Sequence, residues 1–388
     1  MPEALINPSI LVWARQRSGI DVPALAKKIG TDAIHVASWE IGESRPTFRQ
    51  ARRFAELTHI PFGYLYLAEP PEESLPIADF RTVGDAPLVP LGADFRELLN
   101  DVLRKQNWYR EYRIQHGENE LPFAGSANVG DSVQGIAADI QQALRITSQD
   151  RIACKGWEDY LRLLIARIED VGILVMRSGI VGGNTHRALS VDEFRGFVLA
   201  DRYVPVIFLN SKDAKPAQIF TLMHELAHVW LGASGVSNEA VGVVRERLSS
   251  VERWCNAVAA QFLIPEDEMR RDWSLQAVFV TQVSDFARRF KVSRIVAGRR
   301  AFELGLVAWV EFNRFYQAER EQWAAAAMRR NGGGNPYQNS ATRNSRRLTK
   351  AVLETTFEGR MLLRDAGNLL GVKPANLRKL ADSVYGDD

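Results

Sequence analysis

The run Phe220-Thr221-Leu222-Met223-His224-Glu225-Leu226-Ala227-His228-Val229-Trp230 constrains this chain more than any other stretch. It holds His-Glu-x-x-His inside a segment that reads as one helix. Four residues are a little over one helical turn, so His224 and His228 stand one above the other on a single face. Two imidazoles so placed suit one Zn²⁺, with Glu225 beside them to take a proton from the attacking water. A catalytic zinc also needs a third protein ligand and one position left open.

The next helical stretch, Val251 to Pro265, supplies a candidate. Glu252 and Asn256 are four apart and share a face, and Ala257, Ala259 and Ala260 permit close approach of the two helices. Glu252 completes a His₂Glu set. Asn256, one turn on, accepts a hydrogen bond from the free N–H of a ligating histidine and so fixes its tautomer. Upstream, Val171–Met176, Phe194–Leu199 and Val204–Leu209 are β-rich, with Asp201-Arg202-Tyr203 as a turn. They predict a small sheet with a hairpin directly before the metal helix. Pro216 sits in that helix's first turn, and Gly232 and Gly235 follow its end.

The N-terminal stretch has a different pattern. Helices are expected over Ile10–Arg17, Val22–Ile29, Asp32–Glu40 and Thr47–Leu57, with Asp21 as a cap and Gly30-Thr31 as a tight turn. Helix, short turn, helix within an all-helical unit is the helix-turn-helix arrangement. Leu25-Ala26-Lys27-Lys28-Ile29-Gly30, Val36-Ala37-Ser38-Trp39-Glu40 and Gly42-Glu43-Ser44-Arg45-Pro46-Thr47 resemble the phage-repressor (Cro/C1 or Xre) family. The resemblance implies that Trp39 is core, that Glu40 holds the following turn, and that the third helix enters the major groove of DNA.

Ala33, Ile34, His35, Ala37 and Ser38 then face the bases. They lack the Arg, Asn and Gln that make bidentate base contacts. Lys27, Lys28, Arg45 and Arg49 are the expected phosphate contacts. Residues 1–60 carry eight Lys/Arg against six Asp/Glu, so a helical interaction module without DNA binding stays open.

The metal region resembles the ImmA/IrrE family of zinc metallopeptidases. The resemblance rests on Phe194-Arg195-Gly196-Phe197, Pro205 to Asn210, Phe220 to His228, and Glu252 through Pro265. It implies His224, His228 and Glu252 as zinc ligands and Glu225 as the catalytic base. It also implies cleavage of a partner repressor or antitoxin by metal-hydroxide attack on a peptide carbonyl. Peptidases of this design bind substrate backbone on an edge strand. A donor for the transition-state oxyanion is expected besides the metal. Arg300, at a position where the family often has an arginine, and Tyr203 are the candidates, with His186 a weaker one in a loop.

Elsewhere the signals are structural. Glu69-Pro70-Pro71-Glu72-Glu73 reads as a linker and Asp79-Phe80-Arg81 as a short extended segment. Asp94–Gln115, Ser132–Leu144 and Trp157–Ile168 read as amphipathic helices, and Ser284–Phe290 with Val292–Leu304 as a closing pair. Asn331-Gly332-Gly333-Gly334-Asn335-Pro336 reads as a flexible linker, followed by a helical tail from Leu348 to Tyr385. Residues 326–388 hold eleven basic and six acidic residues, a local net of +5. That tail is either a second nucleic-acid contact or a solvated basic linker with a docking helical hairpin.

The expected class is therefore α+β and mostly helical. The expected domains are a helix-turn-helix unit at 1–70, a linker and helical lead-in at 71–150, and a zincin-like peptidase domain at 151–325. A basic linker at 326–347 and a helical segment at 348–388 complete the chain. With a net charge of +2, any nucleic-acid surface must be local. No secretory signal or membrane span is expected, and Cys154 and Cys255 read as buried thiols in a reducing cytoplasm.

Two functions fit. One is a DNA-binding regulator with a zinc endopeptidase domain that cuts a partner protein. The other is a non-proteolytic DNA-binding regulator or antitoxin whose zinc domain is a sensor or scaffold. Oligomeric state is open, although pairing on two half-sites would suit a homodimer.

Overall fold

Capping side chains set the first helices. α1 (Pro8–Ser18) starts where the Asn7 side chain accepts from the Ser9 N–H, and α2 (Val22–Ile29) where Asp21 accepts from Ala24. α2 stops at Gly30, whose φ of 84° only glycine adopts freely. α3 (Ala33–Glu40) follows, and α4 (Phe48–Thr58) opens on a Thr47/Gln50 capping box. Ile10, Leu11, Leu25, Ala26, Val36, Trp39, Phe54 and Leu65 form their shared core. In this computed structural model residues 3–71, 75–81, 91–237, 249–327 and 342–386 are described.

Two local expectations change here. Glu40 does not hold the following turn. It accepts from Arg15 Nε and Nη2 at 2.6 and 2.8 Å and clamps α3 to α1. Ser38 holds that turn instead: its hydroxyl lies 2.6 Å from Ser44 Oγ, and its carbonyl accepts from the Glu43 and Ser44 N–H groups.

The chain divides into two units, Met1–Pro76 with Pro90–Asn100, and Ile77–Val89 with Asp101–Asp388. α5 (Ala93–Gln115) counts with the first unit to Asn100 and with the second from Asp101. The second unit continues through α6 (Val133–Leu144), α7 (Ser148–Ala153) and α8 (Trp157–Asp170). Its strands are β1 (Ala78–Asp79), β2 (Leu174–Ser178), β3 (Gly196–Leu199), β4 (Val206–Asn210) and β5 (Gly235–Ser237). Between β4 and β5 runs α9 (Lys215–Leu231), and after β5 comes α10 (Ser250–Leu263). Ala137, Ile140 and Leu144 of α6, within the stretch expected as a lead-in, share one core with Leu164, Ile207, Leu226 and Val258.

The sheet is mixed, in the order β1-β5-β3-β4-β2. β3 and β4 form the expected antiparallel hairpin, Gly196 opposite Leu209 and Leu199 opposite Val206. Two strands beyond the predicted three, β1 and β5, extend it, so the hairpin lies inside the sheet and its strands are not edges. β3, β4 and β5 are buried along their whole length. That burial explains why the β3 and β4 runs are apolar at successive positions.

α11 (Glu266–Asp272), α12 (Phe279–Phe290), α13 (Arg294–Glu303) and α14 (Trp309–Ala327) follow. The Gly-rich linker lies outside the described residues. The tail forms α15 (Arg346–Phe357), α16 (Leu363–Leu370) and α17 (Leu377–Tyr385). It docks through its first residues. Glu169, at the end of α8, accepts from Ser345 Oγ and the Arg346 N–H, and Arg347 Nε donates to the Tyr109 hydroxyl at 2.9 Å. Arg346 and Arg347, counted in the basic linker, are thus docking residues. Among the described residues no helix is long and apolar enough to cross a membrane, and Cys154 is half-buried while Cys255 is buried.

Candidate metal centre

α9 begins with Pro216 in its first turn and ends at Gly232, with φ of 68°. It packs against β3, β4 and α10, which leaves His224, Glu225 and His228 at 2%, 0% and 0% exposure. α10 begins where Ser249 Oγ accepts from the Glu252 N–H at 3.1 Å. The cap places Glu252 in the first turn of α10, fully buried against α9.

The side chains converge. His224 Nε2 lies 3.3 Å from Glu252 Oε2, His228 Nε2 lies 3.1 Å from Glu252 Oε1, and the two Nε2 atoms are 3.2 Å apart. Ligands at ~2.0–2.1 Å around a tetrahedral ion stand roughly 3.3–3.4 Å from one another. The triangle therefore has the size of one face of such a site. No other group of three or more His, Cys, Asp or Glu with this convergence occurs among the described residues.

Protonation supports the same reading. His224 Nδ1 is 3.0 Å from Asn256 Oδ1. An amide oxygen only accepts, so Nδ1 carries the proton and Nε2 turns its lone pair to the centre. The His228 ring lies flat against Phe80, with centroids 5.4 Å and planes 13° apart. Burial holds the His228 imidazole below its usual range, toward the neutral form. Burial would raise the Glu252 carboxyl, but the facing imidazoles outweigh it and hold it at about 2. An ionised carboxylate is the form that binds a metal, and an arriving metal displaces protons from the imidazoles.

Glu225 points elsewhere. One residue on from His224, it is rotated by about 100° on the helix and faces β3. A β-carbon on Gly196 would stand 2.9 Å from Glu225 Oε1 and 2.7 Å from Thr221 Cγ2. The missing side chain at 196 is what gives the carboxylate its space. Glu225, His224 and Thr221 line a cavity of about 20 Å³ together with Arg195, Asp213 and Ser237. That volume suits a water molecule or two. Arg195 Nη1 lies 2.7 Å from Asp213 Oδ2. Arg195, Asp213 and Ser237 join this cavity, and Gly196 borders Glu225, through tertiary packing; of these only Arg195-Gly196 belongs to a run with a sequence signal.

The proposed oxyanion donors lie away from this centre. Arg300 donates to the Ile264 carbonyl and to Gln261 Oε1. Gln261 is nine residues beyond Glu252, or about 13 Å along α10. Tyr203 sits in the β3–β4 turn, at the Leu199/Val206 end of the hairpin, whereas Glu225 faces Gly196 at the other end. Its ring lies under Arg110, 5.4 Å from the guanidinium carbon. His186 is in an exposed loop. In the N-terminal unit Lys27, Lys28, Ile34, His35, Arg45 and Arg49 are exposed, while Ala33 and Ser38 are half-buried.

The IrrE N-terminal-like domain family, Peptidase_M78, matches residues 168–302, about a third of the chain. The match runs from the end of α8 to α13 and contains His224, Glu225, His228, Glu252 and Asn256. It is a metallopeptidase family, which supports a peptidase, and the buried His/His/Glu group could bind a metal. A domain of unknown function (DUF8813) matches residues 344–383, the docked tail. No curated protein matches the chain.

Proposed function

We propose that this chain is a zinc-dependent endopeptidase tethered to a repressor-type DNA-binding unit, and that it cuts a partner repressor or antitoxin. The observation that carries the reading is the convergence of two imidazole Nε2 atoms and one buried carboxylate at tetrahedral spacing. His224, His228 and Glu252 would hold the ion, and Asn256 would keep the His224 ring in register. A bound zinc would supply Lewis acidity toward the peptide carbonyl and the attacking water. Glu225 takes the water's proton on its carboxylate as the C–O bond forms. It returns that proton to the amine nitrogen as the C–N bond breaks. Burial of the site excludes bulk water from both transfers.

For the N-terminal unit, exposed Lys27, Lys28, Arg45 and Arg49 fit phosphate contact, with Ile34 and His35 on the exposed face of α3. Ser38 is better assigned to the turn than to base reading. The same unit also suits recognition of a homologous domain on the protein to be cut.

The small cavity beside Glu225 favours a second reading, a non-proteolytic regulator with a zinc scaffold. Glu225→Gln separates the two. The zinc-loaded parent and variant are incubated with the product of the neighbouring gene and analysed by mass spectrometry. The variant should keep one zinc per chain and lose cleavage by a factor of about 10²–10⁴. A variant that cuts as the parent does would refute the peptidase assignment.

A further inference from the structure

The outer side of β5 lies beside the metal centre, and the chain itself covers it. β5 has β3 on one side and β1 on the other. β1 is two residues long and pairs in parallel, Ala78 opposite Gly235 and Asp79 opposite Val236. The Phe80 N–H then donates to the Val236 carbonyl at 3.0 Å. The Phe80 ring stacks on His228 and presses on Gly235 so closely that a β-carbon there would overlap it. Arg81 is 8% exposed; its Nε and Nη2 bind Asp79 at 2.8 and 2.7 Å, and its Nη1 reaches the Glu193 carbonyl at 3.1 Å.

An extended peptide recognised by a sheet edge takes up main-chain donors and acceptors of that edge and places alternate side chains in neighbouring pockets. Residues 78–81 do both. They use the Val236 carbonyl as a strand would, and they set an aromatic ring on a metal-ligating histidine. Their hold is modest. Two ladder pairs are far below the length of an ordinary strand, and Arg81 uses its Nε and Nη2 on Asp79 of the same segment. With this segment in place the neighbouring cavity admits water and no peptide.

We propose that Ile77–Arg81 is an internal occupant of the peptide edge of the metal site, which a protein substrate must displace before it can lie along β5. The proposal rests on the peptidase reading of that site. The occupant also displays what the edge accepts: an extended segment with an aromatic side chain over His228 followed by a basic one. A partner whose target segment carries such a pair competes best.

The test uses the full chain in a Glu225→Gln background, loaded with zinc, and a fluorescein-labelled Ile-Ala-Asp-Phe-Arg peptide read by anisotropy. Phe80→Ala removes the internal ring and should tighten peptide binding by about 10- to 100-fold, from the burial value of a phenylalanine. Adding Gly235→Ala to that variant puts a methyl group where the ring sits and should abolish the gain. Equal affinity with and without Phe80→Ala, at unchanged melting and zinc content, overturns the proposal. If Phe80→Ala does not fold, Arg81→Ala loosens the same segment and must tighten binding in the same direction. Cleavage of the neighbouring gene's product by chains with Glu225 intact is scored separately. Tighter peptide binding without that cleavage supports the internal occupant and counts against the peptidase.

Discussion

Asn256→Ala should weaken zinc binding without altering a ligand. The His224 Nδ1 to Asn256 Oδ1 contact is 3.0 Å, and the two residues are 2% and 4% exposed. Among the described residues Asn256 Nδ2 has no hydrogen-bond partner, so the truncation removes this side-chain bond alone. A buried N–H left without its acceptor costs about 1–3 kcal/mol. At 1.4 kcal/mol per tenfold, the zinc dissociation constant should rise by roughly 10- to 100-fold. Asn256→Asp keeps an acceptor at the same place and should stay within about tenfold of the parent. The assay is competition with a chromophoric chelator at pH 7.5, with thermal melting of each metal-free chain as the folding control. An Asn256→Ala chain that folds and binds zinc within threefold of the parent would refute the claim that this bond sets the His224 tautomer.

Gly196→Ala should push the Glu225 carboxylate from its place and lower hydrolysis by about 100-fold at unchanged zinc stoichiometry, read by steady-state kinetics and metal analysis. Glu169 gives a pH signature. Burial lifts its carboxyl from 4.5 to about 7, against the hydrogen bonds from Ser345, Val175 and Arg346. The folded chain then holds a proton that the unfolded chain has lost, so this stabilisation is complete below pH 4.5 and disappears as pH rises through 7. Relative to Glu169→Gln, the parent should lose roughly 2–3 kcal/mol between pH 5 and 8, measured by urea unfolding at each pH. In the N-terminal unit, Arg45→Ala with Arg49→Ala should weaken binding to any duplex and lower the salt slope by about 2. An unchanged slope in fluorescence titrations would remove both from the phosphate contacts.

The parts of the fold that the sequence predicts well are those with strong local determinants. Asp21, Pro23 and Gly30 bracket α2, and Pro216 and Gly232 bracket α9, because caps and stops act within a few residues. The β3–β4 hairpin was legible from two apolar runs around Asp201-Arg202-Tyr203. β1 and β5 were not legible as a pair. Two or three residues carry no period, and their strand geometry comes from partners more than 30 residues away. The same distance dependence explains Arg300. Its place in the chain gave no sign of which face of α13 meets α10, and the crossing sends its guanidinium to Gln261. The Glu252–Asn256 pair was legible because a four-residue spacing fixes one face whatever the tertiary context.

The glycines on two of the three inner strands connect the sheet to the metal centre. Glycine weakens a strand, since it adds backbone entropy and packs nothing. Yet Gly196 on β3 and Gly235 on β5 both lie in fully buried strands. Each leaves a space the size of a side chain, and a group of the site fills it: the Glu225 carboxylate at 196 and the Phe80 ring at 235. A sheet built for stability alone would carry a β-branched residue at either place. The two positions also separate two properties. A methyl group at 196 acts on proton transfer and leaves the β5 edge as it is, whereas a methyl group at 235 acts on what lies along β5 and leaves Glu225 untouched. On the proposed reading, single backbone positions would thus act separately on the Glu225 carboxylate and on the segment that lies along β5.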